Sequence, residues 1–181
     1  MPIRTRTTLL LAAALTAGGL TGCSGLAGLA GYKDCGGSEE RVRSLGALAI
    51  LDAPPEKATP PRGYEKVDAG CWDDSGEAWV YASRTYAFPG TPEEVLRHYG
   101  TEASGDGWHP GPARPPVPGK GIGLCFTRDV DGTPTVLKVY SLTRESFAAE
   151  GGAFPPELAT GSGFRVEATA DASGEPMDCA S

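Results

Sequence analysis

The strongest local signal in this chain is a helix start that lies between two stretches with strand character. Residues 91–94 (Thr-Pro-Glu-Glu) combine an N-cap hydroxyl, a proline suited to the first turn and a glutamate at the capping-box position. Three apolar residues then share one helical face: Val95, Tyr99 and Ala103. Because Gly105 and Gly107 follow, the pattern predicts a helix over 92–104.

Strand patterns precede and follow this helix. Residues 64–72 and 77–88 flank a polar turn at 73–76, and residues 78–88 are rich in β-branched and aromatic side chains. Residues 121–128 and 134–142 flank Asp-Val-Asp-Gly at 129–132, and these turn residues predict a second hairpin. Each pair of segments therefore predicts two antiparallel strands.

Two further segments complete the predicted fold. Residues 164–170 alternate apolar and polar side chains, which is typical of a half-buried strand. Ser38, Glu39 and Glu40 suit a helix start, and they predict an N-terminal helix with three apolar positions: Val42, Leu45 and Ala49. The simplest assembly is an α+β fold with a single antiparallel sheet, one main helix packed on one face as a two-layer sandwich, and the N-terminal helix.

The first 23 residues have the organisation of an export signal. Arg4 and Arg6 precede an uncharged apolar run at 9–20. This run would extend only about 18 Å as a helix, against roughly 30 Å of bilayer hydrocarbon, so it is too short to remain as a membrane span. Residues 20–23 (Leu-Thr-Gly-Cys) follow it directly.

This tetrapeptide resembles the lipobox of bacterial lipoproteins. The resemblance implies that a diacylglyceryl group forms on Cys23 and that cleavage follows Gly22. The expected organisation is a signal peptide at 1–22, a lipidated tether at 23–37 and one α+β domain at 38–181, held on the extracytoplasmic face of the cell membrane. Two acyl chains, such as palmitate, give stable anchoring in the lipid bilayer. The alternative is an ordinary secretory signal followed by an accidental cysteine.

The cysteine count agrees with export. Five cysteines would leave one thiol unpaired, but acylation of Cys23 leaves an even set: Cys35, Cys71, Cys125 and Cys179. Two disulfide bonds are expected outside the membrane. Four cysteines allow three connectivities, and the shorter loops slightly favour Cys35 with Cys71 and Cys125 with Cys179. Zinc binding is the rival interpretation, but the chain has no Cys-x-x-Cys pair, so no metal site is expected.

The net charge of the chain indicates which classes of partner it can bind. Residues 1–22 contain two arginines and no acidic residue, so their removal changes the formal net charge from −7 to −9. Such a surface opposes binding to phosphate backbones, and no nucleic-acid partner is expected. The remaining 159 residues suffice for one domain.

Several residues invite a catalytic interpretation. Residues 129–133 (Asp-Val-Asp-Gly-Thr) match the phosphatase motif of the haloacid dehalogenase family, but the chain lacks the alternating strands and helices of that fold. A hairpin turn explains the motif better, and the spacing does not fit a calcium loop. His98, four residues after Glu94, is expected on a solvated helix face. His109 lacks a nucleophile elbow to accompany it.

Six aromatic residues offer the alternative of a binding surface: Trp72, Trp79, Tyr81, Tyr86, Tyr99 and Trp108. Core packing is the preferred role, but ring faces on a sheet could stack against sugars, peptides or apolar ligands.

Glu94, Val95, Tyr99 and the Gly-Asp-Gly-Trp step at 105–108 also resemble a pattern in exported proteins of actinobacteria, the high-GC Gram-positive bacteria. The sequence therefore predicts an anchored binding or interaction module with no cofactor and no enzymatic activity, whose partner is an envelope protein or glycan. The alternative functions are a cell-envelope hydrolase, using His109 or the Asp73–Asp74 pair, and a glycan-binding domain.

Overall fold

The computed structural model of the chain describes residues 33–112, 121–149 and 153–180. The predicted signal peptide, the predicted acylation site at Cys23 and most of the predicted tether lie outside the described residues. The predicted α+β domain, by contrast, is described over most of its length.

The domain is built on one antiparallel sheet, as predicted. Its six strands are β1 (Asp68–Asp74), β2 (Glu77–Phe88), β3 (His109–Pro110), β4 (Gly123–Val130), β5 (Thr133–Ser141) and β6 (Ser162–Asp171). Their order in the sheet is β1-β2-β6-β5-β4-β3. The last strand thus lies between the two predicted hairpins, and the strands β1 and β3 form the two edges.

Both hairpin turns are tighter than predicted. Ser75 and Gly76 have φ angles of 54° and 88°, and Asp131 and Gly132 have φ angles of 51° and 79°. Two consecutive residues with positive φ match the right-handed twist of the flanking strands and form a two-residue turn. The expected four-residue turns at 73–76 and 129–132 are therefore wrong, because the first two residues of each belong to strands.

Three α-helices accompany the sheet: α1 (Glu39–Gly46), α2 (Pro92–Gly105) and α3 (Arg144–Ala149). The Thr91 side chain accepts a hydrogen bond from the Glu94 N–H, and the Glu94 carboxylate accepts one from the Thr91 N–H, so the predicted capping box of α2 is confirmed. None of the described helices is both long enough and apolar enough to cross a membrane.

The start and the end of α1 differ from the prediction. Ser38 precedes the helix, but its hydroxyl donates to the Cys35 carbonyl at 2.8 Å and makes no cap with the helix backbone. Ala49 lies beyond the helix, in a separate 3₁₀ helix at Ala49–Asp52. The predicted N-terminal helix is therefore present but shorter, since Gly46 is its last residue.

The main core lies between one face of the sheet and the helices α1 and α2. Leu45 and Leu51 contribute from the N-terminal segment, Val95 and Tyr99 contribute from α2, and Phe164 contributes from the centre of the sheet. The Phe164 ring contacts the Tyr99 ring edge to face at 5.8 Å. Burial of these side chains fixes the helices against the sheet, which gives the predicted two-layer arrangement.

The opposite face of the sheet carries a smaller cover that the sequence did not predict. Helix α3 and a 3₁₀ helix at Pro156–Ala159 form a second apolar cluster with the sheet, made of Ala87, Leu142, Phe147 and Leu158. Leu158 lies within van der Waals distance of Gly163, where a Cβ atom would come 3.1 Å from it. This cover occupies only one end of that sheet face. We call the sheet face that points away from α1 and α2 the open face.

Two disulfide bonds connect distant segments. Cys35 is bonded to Cys71 and Cys125 is bonded to Cys179, with Cα–Cα distances of 5.7 and 5.8 Å. This is the connectivity that the sequence favoured. The first bond links the segment before α1 to β1, and the second links the C-terminal segment to β4.

Candidate binding surface

Two tryptophans form an exposed stacked pair on the open face. Trp72 and Trp79 are directly opposite each other in β1 and β2. Their ring centroids lie 5.1 Å apart and their planes differ by 25°. Trp72 is 57% exposed, and no other large apolar side chain among the described residues is exposed to this degree. Because stacked rings lose little conformational freedom on binding, the pair presents a preorganised aromatic surface.

Tyr81 extends this surface along the same face. It is opposite Gly70, and a Cβ atom at Gly70 would lie 3.1 Å from the Tyr81 hydroxyl oxygen and 3.3 Å from the ring. The Tyr81 ring therefore lies over the glycine, where a larger residue would displace it. We call Trp72, Trp79 and Tyr81 the aromatic strip.

The Tyr81 hydroxyl remains protonated at neutral pH. Burial raises its pKa above the usual range, and the negative charges of Asp68 and Glu167 raise it further. A protonated phenol can donate a hydrogen bond as well as accept one. The strip therefore ends in a polar group that can orient a ligand.

Acidic side chains surround the aromatic strip. Asp68 and Asp74 in β1 and Glu77 in β2 lie on the open face, because each is an even number of residues from the tryptophan of its own strand. All three are exposed. Neither β1 nor the open face of β2 carries a lysine or arginine. The potential over the strip is therefore negative.

Lys33, beside the β1–β2 turn, is already paired. Lys33 Nζ lies 2.8 Å from Asp171 Oδ2 and 2.8 Å from Glu175 Oε2. Hydrogen bonds to Asp171 and Glu175 raise the pKa of the Lys33 amine above its usual range. Burial raises the pKa of the Asp171 carboxyl, but hydrogen bonds from Lys33 and Ser173 outweigh that effect and lower it. Lys33 therefore neutralises Asp171 and leaves the acids of β1 uncompensated.

No protein-family model, curated protein or solved structure matches this chain. The aromatic strip is therefore identified from the geometry of this chain alone.

The other three aromatic candidates belong to the core. Tyr86, Tyr99 and Trp108 are at most 2% exposed. The Trp108 Nε1–H donates to Asp106 Oδ2 at 3.2 Å, and the Arg128 guanidinium lies over the Trp108 ring at 4.5 Å from its centroid. The six aromatic residues thus divide equally between the core and the open face.

The structure separates the residues that suggested hydrolysis. His109 is exposed in the edge strand β3, whereas Asp73 and Asp74 lie in β1 at the opposite edge of the sheet. Among the described residues, no group of histidine, cysteine, aspartate or glutamate side chains has an arrangement that could hold a metal ion. These residues therefore form no joint site.

His98 has a structural contact that the sequence did not predict. The expected solvated position is wrong, because His98 is partly buried and its Nε2 atom lies 2.8 Å from the Ala53 carbonyl oxygen. Its ring also meets the Tyr99 ring edge to face at 5.1 Å. His98 therefore attaches α2 to the segment that follows the 3₁₀ helix Ala49–Asp52.

The Asp-Val-Asp-Gly-Thr motif lies at the turn between β4 and β5, as predicted. The Asp129 carboxylate accepts a hydrogen bond from the Gly132 N–H at 2.7 Å, which stabilises the turn. The Asp131 carboxylate accepts one from the Ser44 hydroxyl of α1. Both carboxylates are thus engaged in holding the hairpin and its neighbouring helix.

A groove of about 620 Å³ lies between α1 and this hairpin. Arg41, Ser44, Asp131 and Thr135 are among its lining residues. Arg41 donates to the Ala172 carbonyl, Ser44 donates to Asp131, and the Thr135 hydroxyl donates to the Thr133 carbonyl. These four polar lining groups are thus engaged within the protein.

Proposed function

We propose that this protein is a membrane-anchored extracytoplasmic lipoprotein and that it acts as a binding module whose ligand surface is the aromatic strip. The observation that carries the binding role is the exposed Trp72 ring stacked on Trp79. Exposed apolar surface that is rimmed by polar residues is a common feature of interaction sites.

The cysteines support the anchored location. With the four domain cysteines joined in two disulfides, Cys23 is the remaining cysteine of the chain. An acylated Cys23 leaves no reactive thiol in an oxidising compartment. The Leu-Thr-Gly-Cys tetrapeptide at 20–23 supports the same chemistry.

The point where the chain enters the domain supports a strip that lies close to the proposed anchor. The Lys33 N–H donates to the Gly76 carbonyl at 3.1 Å, so the chain enters the described domain beside the β1–β2 turn. Trp72 and Trp79 lie at this end of the hairpin. The ten residues from Cys23 to Lys33 span at most about 35 Å when fully extended. The aromatic strip would therefore meet partners in the layer of the envelope nearest the membrane.

Labelling of intact cells tests the anchor. We expect the wild-type chain to incorporate labelled palmitate and the Cys23→Ala variant to incorporate none. Mass spectrometry of the exported protein should find the acyl mass on the Cys23 peptide. An unmodified Cys23 in the exported protein would refute the lipoprotein assignment.

Site-specific crosslinking in intact cells tests the binding role. A photoreactive residue at position 77, exposed beside Trp79 on the open face, should give one dominant adduct, which is lost when Tyr81 is also changed to alanine. The same residue at position 109, exposed at the opposite edge of the sheet, serves as the matched control. Equal adducts at both positions, or none at position 77, would contradict a ligand surface at the strip.

Glycan binding is the second candidate function. Aromatic ring faces beside carboxylates suit sugar rings, because apolar C–H groups stack on the rings while hydroxyls donate to the carboxylates. Sedimentation with purified cell wall tests it. Retention that falls about tenfold in Trp72→Ala would support this candidate, and equal retention of both proteins would exclude the strip as a glycan site.

A further inference from the structure

We propose that the partner of the aromatic strip is an extended segment of another protein that carries alternating lysine or arginine residues and pairs with the outer edge of β1. This inference rests on the proposed binding role of the strip and names the chemistry of its ligand. It arises from three observations on β1: its backbone edge, its exposed tryptophan and its charge.

The outer backbone groups of β1 are available for pairing. The two-residue turn makes Asp74 and Glu77 exchange backbone hydrogen bonds, so the N–H and C=O groups of Ala69, Cys71 and Asp73 point away from β2. Within the described residues, the backbone of β1 makes no hydrogen bond outside its ladder with β2. An antiparallel or parallel strand can therefore bond to this edge.

The other edge of the sheet lacks this capacity. Strand β3 has two residues, and the second of them, Pro110, has no N–H to donate. Beyond it, the Gly111 N–H already donates to the Cys125 carbonyl at 2.8 Å. Strand β1, with seven residues, is therefore the edge that suits an added strand.

Side chains of an added strand would fall beside the aromatic strip. Alternate residues of the added strand would point to the open face, next to Asp68, Trp72 and Asp74. A lysine or arginine at these positions can place its cation over the exposed Trp72 ring, and tryptophan is the aromatic side chain that attracts cations most strongly. The same cation is then within reach of a carboxylate.

Charge complementarity selects the occupant. Asp68, Asp73 and Asp74 give β1 three acidic residues and no basic residue. Pairing with a second copy of β1 would place like charges opposite each other, which is destabilising. A neutral strand would gain no charge attraction, whereas a basic strand gains it at alternate positions. The charge of β1 thus opposes pairing of its outer edge with a second copy of this chain and favours pairing with a cationic segment.

A peptide-binding measurement tests this proposal. The full chain is purified in detergent and titrated into a labelled synthetic peptide of alternating lysine and threonine, with fluorescence anisotropy as the readout. A peptide of alternating glutamate and threonine is the matched control. We expect the lysine peptide to bind at least tenfold more tightly, and its affinity to fall as the salt concentration rises.

Two variants separate edge pairing from simple charge attraction. Ala69→Pro removes an outward N–H without changing the net charge, and we expect about tenfold weaker binding, whereas Ala69→Ser keeps that N–H and should bind like wild type. Trp72→Ala should weaken binding about fivefold through loss of the cation–π contact. Circular dichroism melts establish that each variant is folded. If Ala69→Pro does not fold, Trp72→Ala still tests the proposal, because it alters only an exposed side chain.

The outcomes are distinguishable from failure of the binding role itself. Equal affinity of wild type and Ala69→Pro would overturn edge pairing, and equal affinity for the lysine and glutamate peptides would overturn the basic ligand. If position 77 still crosslinks in cells while the lysine peptide does not bind, the binding role stands and this inference is wrong. Capture of cell-wall glycan by the strip in place of the peptide would also overturn it.

Discussion

Tyr99 shows how a single buried atom affects this fold. Its ring packs on Phe164 at the centre of the core, and its hydroxyl oxygen is buried with no hydrogen-bond partner among the described residues. Burial raises the pKa of this hydroxyl well above its usual range. A buried hydroxyl without a partner loses its hydrogen bonds to water and gains none in return.

Replacement of Tyr99 by phenylalanine should therefore stabilise the protein. We expect Tyr99→Phe to raise the free energy of unfolding by about 1 kcal/mol, measured by urea denaturation. Tyr86→Phe is the matched control, because the Tyr86 hydroxyl donates to the Leu51 carbonyl at 2.7 Å and its loss should cost about 1 kcal/mol. A loss of stability in Tyr99→Phe equal to that in Tyr86→Phe would show that the Tyr99 hydroxyl holds an ordered water.

Asp171 gives the stability of the domain a specific pH dependence. Its folded-state pKa lies below the ordinary value, so its ionised form stabilises the fold above about pH 4. This contribution disappears as the pH falls through the folded-state pKa. Unfolding curves at pH 7 and pH 3 should therefore differ less in Asp171→Asn than in wild type. Lys33→Gln should reduce the difference as well, and an unchanged difference in both variants would contradict the role of this pair.

The elements of the fold were predictable where local chemistry decides them. The capping residues of α2, the two turn regions and the alternation in β6 each specify their structure within a few neighbouring residues. Helix α3 was missed because six residues are too few for a periodic pattern. The extra strand residues at Asp73–Asp74 were missed because aspartate is common in turns.

The capping box of α2 should carry measurable stability. Thr91→Ala removes the acceptor for the Glu94 N–H, and we expect the free energy of unfolding to fall by about 1 kcal/mol. Thr101→Ala is the control, since the Thr101 hydroxyl bonds within the helix to the Arg97 carbonyl and alanine favours helical structure. Equal losses in both variants would show that the cap contributes nothing of its own.

At the scale of the whole molecule, the sequence did not determine the sheet order or the position of the aromatic strip. Strand β6 lies between β2 and β5, and this placement depends on contacts between segments that are far apart in the chain. Three of the six aromatic candidates lie in the core, and the positions of Trp72, Trp79 and Tyr81 on the open face depend on the register of β1 and β2. A shift of one residue in the pairing register of these strands would turn the Trp72 and Trp79 side chains toward the core.

The Cys125–Cys179 bond is the long-range link with the clearest expected effect. Its chain separation is 54 residues, and the Cys125→Ala/Cys179→Ala double variant should lose about 3 to 4 kcal/mol of stability. Hydrogen exchange should speed up in the segment that follows β6. The Cys35→Ala/Cys71→Ala variant should leave that segment protected, and faster exchange there would contradict a local role for the Cys125–Cys179 bond.

The Cys35–Cys71 bond has a mechanical consequence for a protein held by its N-terminus. A pull on the chain ahead of residue 35 passes through the sulfur atoms directly into β1. Helix α1 and the segment up to residue 70 lie inside the loop that the Cys35–Cys71 bond closes, so the pulling force does not pass along their backbone. In a chain anchored at Cys23, the pulling force would therefore reach the ladder between β1 and β2 and bypass α1.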